Sequence, residues 1–139
     1  MIKLVVFEAQ TLYRLGVKEA FKGNPEIRVA GEAHNGLTLF SVLADTPADL
    51  LLLGINLHDE IECMDVAHRL RHDYPAMKIL AVVNEDTDLT VQTLITTGIN
   101  GYIGKRQASR HELEKAIRTV AAGRNYIGRI DRQQWTIKI

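Results

Sequence analysis

An alternating α/β domain built on a parallel sheet is the fold this sequence predicts, and three observations predict it. Apolar runs of strand length alternate five times with amphipathic stretches of helix length, which is the pattern of repeated βα units. Three of those runs, KLVVF, LLLL and KILAVV, are continuously apolar after any leading lysine, as strands covered on both faces must be. Turn and breaker residues fall between the runs, at Gly23-Asn24-Pro25, Thr46-Pro47, Pro75, Gly98 and Gly123. With 139 residues the chain is one domain by length, able to bury about two thirds of its unfolded surface without metal or disulfide.

The elements follow in order. Residues 3–7 (KLVVF) form the first strand, and a helix over 12–21 follows it, ended by Gly23-Asn24-Pro25. Residues 27–32 (IRVAGE) are the second strand and 37–43 the second helix, stopped by Thr46-Pro47. The four leucines at 50–53 are the third strand, handing over at Gly54, and the helix over 64–74 stops at Pro75. Residues 78–83 (KILAVV) are the fourth strand, followed by a helix over 89–97 that Gly98 ends. The fifth strand is 101–104 (GYIG) and the last helix 110–122, where Leu113, Ile117, Val120 and Ala121 recur at helical spacing. Ser109 with Glu112 three residues later is a capping-box start for that helix. After Gly123 the pattern stops, and RNYIGRIDRQQWTIKI reads as a tail. Within it Trp135, Ile137 and Ile139 alternate with polar residues, the period of a linker stub or of an extra edge strand.

Composition excludes several classes. The 46% apolar and 24% charged residues are those of an ordinary soluble globule, and no run approaches the roughly 20 apolar residues of a membrane helix. The apolar start is too short for a signal peptide, so a cytoplasmic protein without membrane contact is expected. A single cysteine, Cys63, forms no internal disulfide. His68 and His72 with Asp65 make a metal half-site lacking a third ligand, so no metal or cofactor is expected there. Net charge is zero but uneven: ten acids face three bases between Asp45 and Asp88, whereas nine bases face three acids between Gly98 and Lys138.

Five βα units in this order make a flavodoxin-like, doubly wound domain, (βα)5, with a five-stranded parallel sheet in the order 2-1-3-4-5. Particular stretches narrow the reading. KLVVFEAQTLYRLGV at 3–17, EIRVAGEAHNG at 26–36, ADLLLL, YPAMKILAVV at 74–83, and above all TGINGYIGK at 97–105 with HELEKAIRTVAAGRNYI at 111–127 resemble the CheY-like receiver domain of bacterial response regulators, most of all the NarL/LuxR type. The resemblance covers a domain of residues 1–127 and leaves 128–139 as a C-terminal tail or linker stub. It implies a module that accepts a phosphoryl group from a histidine kinase and changes its association surface. Its chemistry needs two acids after the first strand and an aspartate after the third to hold Mg²⁺, a hydroxyl after the fourth, and a lysine after the fifth. At those positions this sequence has Glu8 and Ala9, Gly54, Val83 and Lys105, with Tyr102 as the aromatic that reorients on activation in the family.

Only Glu8 and Lys105 keep the required chemistry. The expectation is a degenerate, phosphorylation-independent receiver of the two-component type, not an enzyme. It would serve as the N-terminal half of a transcription regulator or as a stand-alone adaptor, acting by association with itself as a dimer or with another signalling protein. DNA would be met only through a helix-turn-helix domain, for which too few residues remain after 127. Two alternatives come from other classes: phosphorylation on a displaced acid, Asp59 or Glu60, which needs a rearranged loop, and a small ligand held in a pocket enlarged by Gly54 and Val83. Asn56 offers at most a carbonyl. Glu8 and Lys105 are expected to form a residual ion pair at a surface edge, contributing about 0 to 1 kcal/mol. Receivers of this resemblance commonly associate through the first and last helices or through the face of the fourth helix, fifth strand and fifth helix. Candidate contacts are Leu12, Val17 and Phe21 with Leu113, Ile117 and Val120, most of which must also serve the domain's own core. Arg14, Lys18, Glu114 and Arg118 lie between them as cross-subunit partners.

Overall fold

In the computed structural model, which describes residues 1–130, the elements are β1 (Ile2–Phe7), α1 (Thr11–Phe21), β2 (Ile27–Ala33), α2 (Gly36–Asp45), β3 (Leu50–Ile55), α3 (Glu60–Asp73), β4 (Lys78–Val83), α4 (Val91–Thr96), β5 (Gly101–Gly104), α5 (Arg110–Ala121) and β6 (Tyr126–Ile127). All strand pairs are parallel, in the order β2-β1-β3-β4-β5-β6. The doubly wound order 2-1-3-4-5 holds, with a sixth strand added beside the fifth.

Strand parity divides the core. Leu4, Val6, Leu50, Leu52, Leu80 and Val82 pack under α1 and α5. Val5, Phe7, Leu51, Leu53, Ile79, Ala81 and Val83 pack on the opposite face, under α2, α3 and α4. Every residue of β3 is buried, which explains the unbroken leucine run: each fully buried leucine stabilises the fold by about 1.5–3 kcal/mol.

Several boundaries shift by one or two residues, α4 for example from the expected 89–97 to Val91–Thr96, and three differences matter for the site and the sheet. β3 does not end at Gly54, because Gly54 pairs with Val82 and Ile55 with Val83. α3 starts at Glu60, four residues before the expected Met64. Its first turn carries Glu60 and Glu62, which suit the positive end of a helix dipole but give no apolar periodicity to read.

β6 is the third difference. Where a tail was expected from Arg124, Tyr126 pairs with Gly101 and Ile127 with Tyr102. Two residues are too few to show a strand period. The visible signal is glycine: a Cβ on Gly128 would stand 2.5 Å from the Tyr102 carbonyl oxygen, to which the Gly128 N–H donates at 2.8 Å. The capping box of α5 is half formed. Ser109 Oγ accepts the Glu112 N–H at 3.1 Å, while the Glu112 carboxylate turns away to accept from the Tyr126 hydroxyl at 2.8 Å and ties β6 to α5. Trp135, Ile137 and Ile139 lie outside the described residues.

Candidate functional site

The C-terminal ends of β1, β3 and β5 bring Glu8, Gly54 and Lys105 together. Phe7 is in register with Leu53, so the next residues of β1 and β3, Glu8 and Gly54, stand side by side. By strand parity both share the face covered by α1 and α5. Lys105 follows β5 and opens a short 3-10 turn, Lys105–Gln107.

The side chains then close on one another. Glu8 Oε1 lies 2.5 Å from Lys105 Nζ, and Glu8 Oε2 accepts the Asn56 side-chain amide at 2.6 Å and the Gln10 N–H at 3.2 Å. Lys105 Nζ also donates to Asn56 Oδ1 at 2.6 Å and to Gln10 Oε1 at 2.7 Å. Its ammonium sits 4.2 Å from the centroid of the Tyr13 ring, a cation–π distance. Two of the ammonium's three N–H groups thus meet Asn56 and Gln10, and its contact with Glu8 Oε1 is an ion pair by distance without hydrogen-bond geometry. Burial, and then the Glu8 charge, push the Tyr13 phenol up to about 12.

This geometry corrects two expectations. The ion pair is not at a surface edge, since the Glu8 side chain is 1% exposed and that of Lys105 is 11% exposed. It belongs to the class of buried pairs, in which losing one partner is far more costly than at the surface. Asn56 is also more than a carbonyl. Its amide donates to Glu8 while its oxygen accepts from Lys105, joining the two charges in one network. Gln10 and Tyr13 were missed as site residues. Their one sequence signal is nearness to Glu8, which does not tell where their side chains point.

Ala9 is exposed in the turn after β1 and supplies no donor. Val83 and Tyr102 belong to the opposite face, packed with Leu94 and Ile99, with Tyr102 8% exposed. Two residues beyond Val83, the buried Glu85 accepts the Arg106 N–H at 2.7 Å and lies 3.6 Å from its guanidinium, linking the loops after β4 and β5. Asp59 folds back on its own loop, accepting the Asn56 N–H at 2.7 Å. Burial chiefly, and Glu8 to a smaller degree, raise its carboxyl above the ordinary range. Cys63 is buried against the Gly54 carbonyl and Asp59, and desolvation pushes its thiol up, away from the reactive thiolate.

The donor set does not fit Mg²⁺. That ion keeps most of its water and takes more than one carboxylate in a dedicated site. Here the one carboxylate is buried and already engaged by Lys105 and Asn56. Among the described residues no three His, Cys, Asp or Glu side chains gather as metal ligands. His72 instead lies 2.9 Å from Asp73. No helix among them is long and apolar enough to cross a membrane.

The expected dimer contacts narrow to one residue. Val17, Phe21, Leu113, Ile117 and Val120 are buried in the chain's own core, which leaves Leu12 at the surface. Arg14 and Lys18 both pair with Glu32, and Arg118 pairs with Glu26 and Glu114. Those charges are spent within the chain.

Residues 4–118 match the family model of the response regulator receiver domain. The transcriptional regulatory protein DegU of Brevibacillus brevis is 27% identical over 126 residues, covering 91% of this chain and 52% of that protein. The response regulator GacA of Pseudomonas syringae is 27% identical over 138 residues, 99% of this chain and 64% of GacA. The chain thus spans between half and two thirds of the length of these relatives. Among solved structures, a LuxR-family two-component response regulator from Aurantimonas has a TM-score of 0.79 at 19% identity, covering 91% of this chain and 89% of that one. A structure of two RcsB dimers bound to two parallel DNAs gives 0.76 at 15% identity, covering 91% of this chain and 63% of that one. These likenesses carry the fold, and the family model carries the assignment: this chain belongs to the response regulator receiver domain family.

Proposed function

We propose that this chain is a receiver of the NarL/LuxR type that signals by association without phosphoryl transfer, within a regulator of transcription. One observation carries the reading: at the end of β3, where the family resemblance places the acceptor aspartate, stands Gly54, whose place is taken by a Glu8 carboxylate engaged with Lys105. In this reading Glu8, Ala9, Gly54, Val83, Tyr102 and Lys105 are a degenerate phosphorylation pocket, and residues 1–127 are the receiver. Partners are a second copy or another signalling protein. DNA is reached through a separate domain, as the dimers of RcsB on DNA suggest by analogy.

The alternatives have less support. Asp59 is committed to the Asn56 backbone, so a displaced acceptor requires that loop to open. A small ligand has no vacated space beside Gly54, which the Glu8 carboxylate fills. The deciding experiment is incubation with acetyl phosphate and Mg²⁺ followed by intact-mass measurement. The expected result is an unchanged mass, and a phosphoryl adduct on any residue sinks the reading.

Association has a candidate surface on α1. Leu12 is 84% exposed and lines a groove of about 260 Å³ between α1 and α5 together with Gly16, Ala20 and Ala108, and Leu15 of the same helix is 48% exposed. Gly16 lies mid-helix, where glycine costs about 1 kcal/mol against alanine, yet among the described residues a Cβ placed there would meet nothing within 4 Å beyond its two chain neighbours and the surrounding backbone of α1 itself. Among the described residues no neighbour from another element crowds that position, whereas a second subunit packed close to α1 would. Gly16→Ala is therefore expected to stabilise the monomer by about 0.5–1 kcal/mol in urea unfolding. The same change should weaken the dimer in sedimentation at micromolar concentration. A dimer left unchanged places the interface elsewhere.

A further inference from the structure

A Cβ built on Gly54 would stand 2.6 Å from Glu8 Oε1 and 2.8 Å from Glu8 Cδ. Nonbonded carbon does not come so close, so a side chain at position 54 and the Glu8 carboxylate in its present place exclude each other. The far end of a glutamate is usually free to swing away. This one is not: it is buried, with one oxygen on Lys105 Nζ at 2.5 Å and the other on the Asn56 amide at 2.6 Å. Moving it would separate a buried charge from its partner. Lys105 is equally committed, ringed by oxygens of Glu8, Asn56 and Gln10 and covered by the Tyr13 ring.

We propose that Glu8 and Gly54 form one coupled unit. Glu8 is the built-in counter-ion of Lys105, Gly54 lacks a side chain to leave it room, and the pair closes Lys105 to any anion from outside. The inference rests on the reading of this chain as a receiver that transfers no phosphoryl group, and it deepens that reading: the site is closed rather than vacant. While the Glu8 carboxylate holds its present place on Lys105, a second carboxylate cannot be added from β3. Glu8 is thus a positioning residue for the whole edge, because it holds β1, β3 and the turn after β5 on one ammonium.

The coupling predicts that two damaging substitutions repair each other. Four full-length proteins are compared by thermal melting: the unchanged chain, Glu8→Ala, Gly54→Asp, and the double variant. Each single substitution lowers the melting temperature. The first leaves Lys105 without its carboxylate, and the second forces two carboxylates into one space. The double variant is expected to melt above both singles, because the acid returns from β3 with nothing to collide against. A double variant that melts no higher than the better single overturns the proposal. Should Glu8→Ala fail to fold, a folded double variant still supports the coupling and an unfolded one ends it.

Closure has its own readout, with inorganic phosphate as the probe. Millimolar phosphate is expected to raise the melting temperature of Glu8→Ala, or of Glu8→Ser if the alanine form does not fold, by about 3 °C. The unchanged chain should not move. Equal responses in the two proteins, including none in either, overturn the closure. Failure here is distinguishable from failure of the reading beneath it. An acetyl phosphate adduct on the unchanged chain would sink the phosphoryl-free reading, whereas additive losses sink the coupling alone.

Discussion

Gly54→Asp, made alone, is expected to lower stability by about 3 kcal/mol and to acquire no phosphoryl group. Restoring an aspartate at the end of β3 looks like a repair, and the geometry makes it an injury. The new Cβ collides with Glu8 at 2.6 Å before any carboxylate is considered. The new carboxylate then adds a second negative charge beside a glutamate whose side chain is 1% exposed, with Lys105 as the nearest cation. Like charges in such a place disfavour each other strongly. The chemistry fares no better: Ala9 supplies no second acid, Val83 no hydroxyl, and Lys105 is held by Glu8, Asn56 and Gln10. Urea unfolding with intact-mass measurement after acetyl phosphate and Mg²⁺ checks both halves. A variant as stable as the unchanged chain would show that Glu8 moves aside at little cost, and efficient labelling would show that the other losses matter less than the geometry implies.

The fold was legible because its strands are buried on both faces, so that Leu50 to Leu53 and Lys78 to Val83 carry an unbroken apolar signal. Glu8, Gly54 and Lys105 were located at the sheet edge through the family resemblance, although β3 runs one residue past Gly54. What those residues do to one another was not. The Glu8–Lys105 pair reads from sequence as a weak surface contact, and its burial depends on Gln10 and Tyr13 from the start of α1 and on Asn56 from the loop after β3. Those three are ordinary polar and aromatic residues with no spacing that marks them. β6 escaped for a different reason. Tyr126 and Ile127 become a strand only because Gly101 and Gly128 let two backbones approach, and a two-residue strand has no period to detect.

Asn56 shows why the edge behaves as one object. Its amide donates to the glutamate and its oxygen accepts from the lysine, so it is satisfied only while both charges are in place. Its own backbone N–H is held by Asp59, which fixes the loop between β3 and α3. The network therefore links three strands and a helix start through groups that each need the others. Such networks lose more on a single deletion than a list of pairs suggests.

The second large effect is expected at Lys105. Lys105→Met keeps an unbranched side chain of similar length and removes the ammonium, leaving Glu8 buried without a cation and Asn56 Oδ1 and Gln10 Oε1 without their shared donor. Breaking a buried pair from one side typically costs about 3–5 kcal/mol, and the upper part of that range is expected here because Glu8 is the more buried partner. The loss should depend on pH in a stated direction. A buried carboxylate deprived of its cation takes up a proton more readily in the folded state than in the unfolded one. The folded variant is then favoured where that proton is bound and penalised where it is lost, so the deficit is largest at neutral pH and shrinks as pH falls toward the carboxylate range. Adding Glu8→Gln to Lys105→Met should recover most of the neutral-pH deficit, since a neutral group no longer demands a counter-ion and its amide can still meet Asn56. Urea unfolding of the single and double variants at neutral and mildly acidic pH decides the matter. If Lys105→Met costs under about 1 kcal/mol at neutral pH, the pair is energetically a surface pair despite its burial. In that case the closed edge is not what holds β1, β3 and the turn after β5 together.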